Sequence, residues 1–183
     1  HFNEVLEHEW QRAGRGQTRI ALLILDADRF KAYNDTLGHQ AGDRVLATIG
    51  AAIANCAKRG GDLGVRYGGD EFALLLPETQ SADAEQIGNS IRRNFADLCQ
   101  QTGVVPLGLS IGIACAMPHE GGSADEFVEA ADRALYRAKH RGRNRTELAS
   151  GPAIDPVKAP DPVIDEAVAE RPDQETPERS HAA

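Results

Sequence analysis

Apolar positions along the chain repeat with two different periods, and each change of period marks an element. Phe2, Val5, Leu6 and Trp10 recur near helical spacing, which predicts an amphipathic first helix over Phe2 to Arg12, ended by Gly14 and Gly16. Arg19 to Asp28 is apolar on both faces through Ile20-Ala21-Leu22-Leu23-Ile24-Leu25, the pattern of a central strand covered from both sides. A short helix follows Arg29 and stops at Gly38. Val45, Leu46, Ile49, Ile53 and Cys56 then form the stripe of a long helix from about Asp43 to Lys58.

Leu63 to Tyr67 and Phe72 to Leu76 are apolar arms around Gly68-Gly69-Asp70-Glu71. They read as a β-hairpin with acids at its tip, the glycines permitting positive φ and close approach to the backbone. Ser81 to Gln100 carries Ile87, Ile91, Phe95 and Leu98 on one helical side, and Val104 to Ala116 alternates as a strand. Ser123-Ala124-Asp125-Glu126 has the form of a capping box and starts a last helix through Phe127, Ala131, Leu135 and Ala138. A short strand to Leu148 closes the domain. An order β-α-α-β-β-α-β-α-β suggests an α/β sandwich with an antiparallel hairpin, closer to a ferredoxin-like palm than to a doubly wound sheet.

Charge divides the chain. Residues 150–183 hold eight acids and three bases, a net −5 of the chain's −8, which leaves −3 for the rest. The same tail has six of the nine prolines and no aromatic residue. It cannot bury enough apolar surface to offset its ordering entropy, and is expected to be a disordered linker. The expected domain is 1–149. Its mild acidity argues against polymeric nucleic acid as a partner. The run Ile20–Leu25 is too short to span a bilayer, and no signal-peptide pattern opens the chain. Cys56, Cys99 and Cys115 are isolated, which suggests buried free thiols in a reducing cytoplasm. His1 in place of Met suggests a fragment of something longer.

The candidate chemistry lies in two acid groups, Asp26 at the end of the central strand and Asp70-Glu71 at the hairpin tip. Acids after such a turn are costly if buried without a counter-charge. If the hairpin pairs beside the central strand, the oxygens converge on a site that suits Mg²⁺, which takes its remaining ligands from water and phosphates. Such a site could orient a triphosphate for in-line attack by a hydroxyl. Lys31, Lys139 and Arg143 are the cations for the outer phosphates, although Lys139 and Arg143 would also complement a helix end. Asn34 and Asp43 offer an amide and a carboxylate suited to a guanine edge. Asp28 and Asp43 could equally serve as helix N-caps, and His39 as a structural histidine.

These residues together resemble the GGDEF domains, the diguanylate cyclase family. The resemblance rests on Gly68-Gly69-Asp70-Glu71-Phe72, on Asp26-Ala27-Asp28-Arg29-Phe30-Lys31 through Asn34-Asp35, Gly38-His39 and Gly42-Asp43, on Ser110-Ile111-Gly112, and on Ala131-Asp132 through Tyr136, Lys139 and Gly142-Arg143-Asn144, in order and correctly spaced over about Phe2 to Leu148. It implies a nucleotidyl-cyclase palm with a mostly antiparallel five-stranded sheet. It also implies condensation of two GTP into cyclic di-GMP, with loss of two pyrophosphates, across a homodimer. On matching positions Asp26, the Ala27 carbonyl and Asp70 would hold two Mg²⁺ or Mn²⁺ ions, with Glu71 as metal ligand or base. Asn34 and Asp43 would read guanine, Lys31, Lys139 and Arg143 hold phosphates, Phe30, His39 and Leu46 shape the pocket, and Gly68 and Gly69 form its edge.

Arg59 and Asp62 match the family's inhibitory product site, and their chemistry fits a guanine edge. A further arginine of some members falls at Ser90, with Arg92 and Arg93 nearby. The family's usual preceding Leu-Thr-Gly-Leu and Asn-Arg-Arg segment is absent, so an upstream sensor or dimerising module is expected. The rival reading is a silent module that binds GTP or cyclic di-GMP. A polymerase palm would need a basic template groove that the sequence lacks.

Overall fold

The computed structural model describes residues 2–119 and 122–150; the acidic tail lies outside them. Helix α1 (Phe2–Gly16) is followed by β1 (Ile20–Ala27), α2 (Phe30–Leu37), α3 (His39–Cys56), β2 (Leu63–Arg66), β3 (Glu71–Pro77), α4 (Ser81–Thr102), β4 (Leu109–Ala116), α5 (Ala124–His140) and β5 (Thr146–Leu148). The sheet order is β2-β3-β1-β4-β5, antiparallel except for the β4–β5 pair.

All eight residues of β1 are buried, because the strand is central and both faces are covered. Alternation assigns the faces. Ala21, Leu23 and Leu25 pack with Val45, Ile49 and Ile53 of α3 and Ile91 and Phe95 of α4. Ile20, Leu22 and Ile24 pack with Leu6 and Trp10 of α1 and Phe127 and Leu135 of α5. The Trp10 and Phe127 rings lie 5.1 Å apart and lock α1 onto α5. The capping box of α5 is formed, with both Ser123 and Glu126 engaged. No helix among the described residues is long and apolar enough to cross a membrane.

Several boundaries differ from the sequence reading. Helix α1 runs through Gly14 to Gly16, since packing of Ala13 against the core holds the last turn. Helix α3 starts at His39, with Gly38 (φ 83°) serving both as the C-cap of α2 and as the N-cap of α3. Asp43 therefore lies in the second turn of α3 and caps nothing. Asp28 is no cap either, because the N-cap of α2 is Arg29. Residues Val104 to Gly108 are not strand. Pro106 has no N–H for a ladder, and the Gly108 carbonyl is taken by the Asp28 N–H at 2.8 Å. Among the cysteines Cys99 is buried, while Cys56 and Cys115 are half-buried, and all three are free.

Backbone approaches backbone closely where β4 crosses α5. A Cβ at Gly112 would stand 2.2 Å from both the Ala131 carbonyl oxygen and the Leu135 nitrogen. Backbone cannot move aside as a side chain can, so Gly112→Ala is expected to cost about 3 kcal/mol or more in a urea unfolding curve. A cost under about 1 kcal/mol would mean that α5 does not sit this close to the sheet.

Candidate active site

The hairpin pairs beside the central strand, so the two acid groups meet. In the antiparallel register Asp26 stands directly opposite Glu71 on one side and Ser110 on the other. Facing residues of such a pair share one face of the sheet, which here is the α5 face. Asp70 is fixed one step further on, its carbonyl accepting the Ala27 N–H at 3.2 Å. Asp26 is 7% exposed. Lys139, reaching from the last turn of α5, places Nζ 2.7 Å from Asp26 Oδ2.

Burial raises the pKa of the Asp26 carboxyl, the hydrogen bond and charge of Lys139 oppose this, and the charges of Asp70 and Asp28 push it up again. The net direction is upward, so ionised Asp26 is held against the preference of the fold. No group of three His, Cys, Asp or Glu side chains forms a ready-made metal cluster among the described residues. What the site has is carboxylate oxygens in excess over cations. That donor set fits a hard divalent cation whose other ligands come from water or phosphate.

The hairpin tip is held by its own backbone and by Arg66. Tyr67 and Gly68 N–H both donate to the Glu71 carbonyl, at 2.9 and 3.2 Å. Arg66 donates from Nε and Nη2 to the Gly69 carbonyl, at 3.1 and 2.6 Å. Neither Gly68 nor Gly69 adopts positive φ. At Gly68 a Cβ would lie 2.9 Å from Glu71 Oε2, the free end of a side chain that can turn aside, so the carboxylate folds back over the glycine without requiring it.

At the α2–α3 corner the Asn34 side chain lies against Gly42, where a Cβ would come within 1.9 Å of Asn34 Oδ1 and 3.1 Å of the Phe30 ring. That amide oxygen is buried and has no hydrogen-bond partner among the described residues. An orphaned buried acceptor leaves a place for a donor such as water or a ligand. Asp43 and His39, one helical turn apart, are exposed beside it, and Leu46 is buried below. Lys31 is exposed on the first turn of α2. Arg143 (φ 62°) sits on the turn after α5, where with Arg29 and Tyr33 it lines a groove of about 690 Å³.

Arg59 and Asp62 form a closed turn through Arg59 N–H to Asp62 Oδ2 at 2.9 Å and Asp62 N–H to the Arg59 carbonyl at 3.0 Å. The Arg59 guanidinium reaches Thr79, not Asp62, and Asp62 Oδ1 is buried without a partner among the described residues. Ser90 accepts from Arg93. The sequence reading assigned no role to Ser110, Asn144 or Arg66, and left Asp28 between cap and ligand. Asp28 is buried, accepting from Ser110 Oγ at 2.7 Å and from the Asn144 N–H at 2.9 Å. The available signal was Ser110, a polar residue between Leu109 and Ile111 in a buried strand.

The chain matches the family model for the diguanylate cyclase GGDEF domain over residues 1–145, and it belongs to that family. It is 44% identical over 126 residues to diguanylate cyclase DgcM of Escherichia coli, covering 68% of this chain and 30% of the relative. It is 34% identical over 151 residues to diguanylate cyclase A of Treponema denticola, covering 80% and 40%. The chain thus spans less than half the length of these curated relatives. Among solved structures, the GGDEF domain of DgcB from Caulobacter crescentus in complex with c-di-GMP superposes with TM-score 0.72 at 32% identity, covering 82% of this chain and 89% of that one. The diguanylate cyclase SiaD of Pseudomonas aeruginosa, in complex with its activator SiaC, gives 0.73 at 36% identity, with coverage of 80% and 56%.

Because the folded state disfavours charge on Asp26, stability is lost as pH rises from the unfolded to the raised folded pKa, and the full penalty stands above it. Asp26→Asn is therefore expected to melt above the wild type at about pH 8 in metal-free buffer, with the gap closing towards about pH 4. A variant less stable than wild type at both values would show that the Lys139 ion pair outweighs desolvation.

Proposed function

We propose that this domain is the catalytic half-site of a diguanylate cyclase: it holds one GTP, and two copies facing each other join two GTP into cyclic di-GMP with release of two pyrophosphates. The observation that carries the reading is the directly opposed pair Asp26, buried, and Glu71, half-buried, on one face of the sheet. Like charges facing across two strands are destabilising unless a cation joins them.

Asp26, the Ala27 carbonyl, Asp70 and Glu71 would hold Mg²⁺ or Mn²⁺, two ions per site. The cations would neutralise charge on the triphosphate and its pyrophosphate leaving group. Asn34 and Asp43 read the guanine edge, the orphaned Asn34 amide oxygen receiving a base N–H and the Asp43 carboxylate the ring N–H and amino group. Phe30, His39 and Leu46 wall the base, and Gly68 and Gly69 keep the hairpin edge open. Lys31, Lys139 and Arg143 bind phosphate oxygens, Lys139 exchanging Asp26 for the nucleotide. Glu71 serves as metal ligand or takes the proton of the 3′-hydroxyl of the partner's GTP. As that oxygen bonds to the α-phosphorus, the bond to the β-phosphate oxygen breaks and pyrophosphate leaves.

Product acts back at Arg59 and Asp62, where the unpartnered Asp62 Oδ1 accepts a guanine N–H and the Arg59 guanidinium leaves Thr79 to stack on the base. An upstream module would bring two such domains together inside the cell, in the cytoplasm.

GTP and Mg²⁺ incubated with a concentration series of the chain should yield cyclic di-GMP at a rate rising faster than linearly with protein. Asp70→Asn and Glu71→Gln should abolish it with folding intact. Nucleotide binding without product, even in a forced dimer, would instead support the silent binding module. Asp43→Ala should weaken GTP at least about tenfold more than ATP, since an unpaired guanine edge is costly. Equal losses for the two nucleotides would remove Asp43 from base selection.

A further inference from the structure

Arg92 lies on α4, outside every element that carries a proposed ligand-binding residue, yet its guanidinium turns inward. Nη2 donates to two acceptors of a single residue, the Asn144 backbone carbonyl and the Asn144 Oδ1, the latter at 3.1 Å. Arg93, one position on, is exposed and donates only to Ser90 on its own helix. The Arg92 guanidinium is desolvated enough that its pKa is lowered, against the attraction of Asp28, and its Nε is buried without a partner.

Its target is an unusual turn. Arg143 and Asn144 both stand in the left-handed region, at φ 62° and 45°. Two consecutive non-glycine residues rarely hold that conformation unless their surroundings impose it. Arg92 supplies that constraint from one side. From the other, the Asn144 N–H donates to Asp28 Oδ2 at 2.9 Å and Asn144 Oδ1 faces the Leu109 N–H at 3.5 Å. Asp28 is anchored in turn by Ser110 Oγ at 2.7 Å and by its own N–H to the Gly108 carbonyl at 2.8 Å. Its carboxylate packs directly over Gly108, where a Cβ would lie 2.5 Å from Asp28 Oδ2. Asp28 stands two residues after Asp26, on the loop that leads into α2.

We propose that Arg92 is a positioning residue for the triphosphate: it fixes the Arg143-Asn144 turn from α4 and, through Asn144 and Asp28, the loop between Asp26 and Lys31. The inference rests on the nucleotide-binding reading of the site. It concerns the phosphate end only, because Asn34 and Asp43 lie on the other side of α2 and are held by Gly42 and α3.

The test compares wild type, Arg92→Ala, Arg92→Lys and Arg93→Ala in three binding measurements: a non-hydrolysable GTP analogue with Mg²⁺, inorganic pyrophosphate with Mg²⁺, and guanosine. Arg92→Ala should weaken the analogue and pyrophosphate about tenfold, the scale of one charge-assisted hydrogen bond, and leave guanosine unchanged. Arg92→Lys, which keeps the charge but not the fork, should fall between, and Arg93→Ala should match wild type. Hydrogen exchange of the Asn144 amide should quicken in Arg92→Ala while the core amides stay protected. Unchanged phosphate binding, or an equal loss for guanosine, would overturn the proposal and leave the nucleotide reading standing. If Arg92→Ala does not fold, the same split in Arg92→Lys decides the question. A wild type that binds none of the probes would bring down the nucleotide reading and this proposal with it.

Discussion

A carboxylate buried at the end of the central strand is the constraint on which the rest of this domain turns. Asp26 cannot leave the sheet, since its neighbours on β1 are buried on both faces. It faces Glu71 across the ladder, with Asp70 and Asp28 close enough to raise its pKa further. Apolar burial alone would place a leucine there. The fold instead keeps an acid, and Lys139 offsets part of the cost with a 2.7 Å ion pair. Negative charge gathered at a fixed place is what the proposed divalent cation would neutralise.

Four segments far apart in sequence are brought to that point by sheet order. The hairpin arrives because β3 pairs with β1, and α5 because its apolar stripe covers the same face on which Asp26 and Glu71 lie. Gly112 lets α5 approach closely enough for Lys139 to reach Asp26. On the other side of α2, Gly38 turns the chain within one residue so that α3 packs directly against it. Gly42 then leaves room for the Asn34 amide.

Much of this was legible in the sequence, because period-two and period-3.6 patterns report burial and burial decides the elements. The unbroken apolar run of β1 predicted a central strand, and the acids at its end and at the hairpin tip predicted where chemistry would gather. The start of α3 was not legible. His39 and Gln40 are polar and exposed, so no stripe announced the first turn. Val104 to Gly108 looked like strand by alternation, but β1 already has β4 from Leu109 onward as its neighbour, and the Gly108 carbonyl bonds to Asp28. The two glycines of the hairpin suggested positive φ, which neither adopts, and the Glu71 carboxylate folds back over Gly68. Asp28 had two local explanations, cap and ligand, and neither foresaw its bonds to Ser110 and Asn144, which are 82 and 116 residues away. Contacts of that range leave no mark on local pattern.

The central claim is that Asp26 is held as an anion for a metal-bound nucleotide. Its most direct test is a ¹³C NMR titration of the Asp26 carboxyl, first in the free protein and then with Mg²⁺ and a non-hydrolysable GTP analogue. The account predicts a pKa above the ordinary carboxylate value in the free protein and a fall of at least about one unit on loading, as neighbouring positive charge favours the ionised form. The same titration curve in both states would contradict it, because no cation would then be resting on the carboxylate around which the site is built.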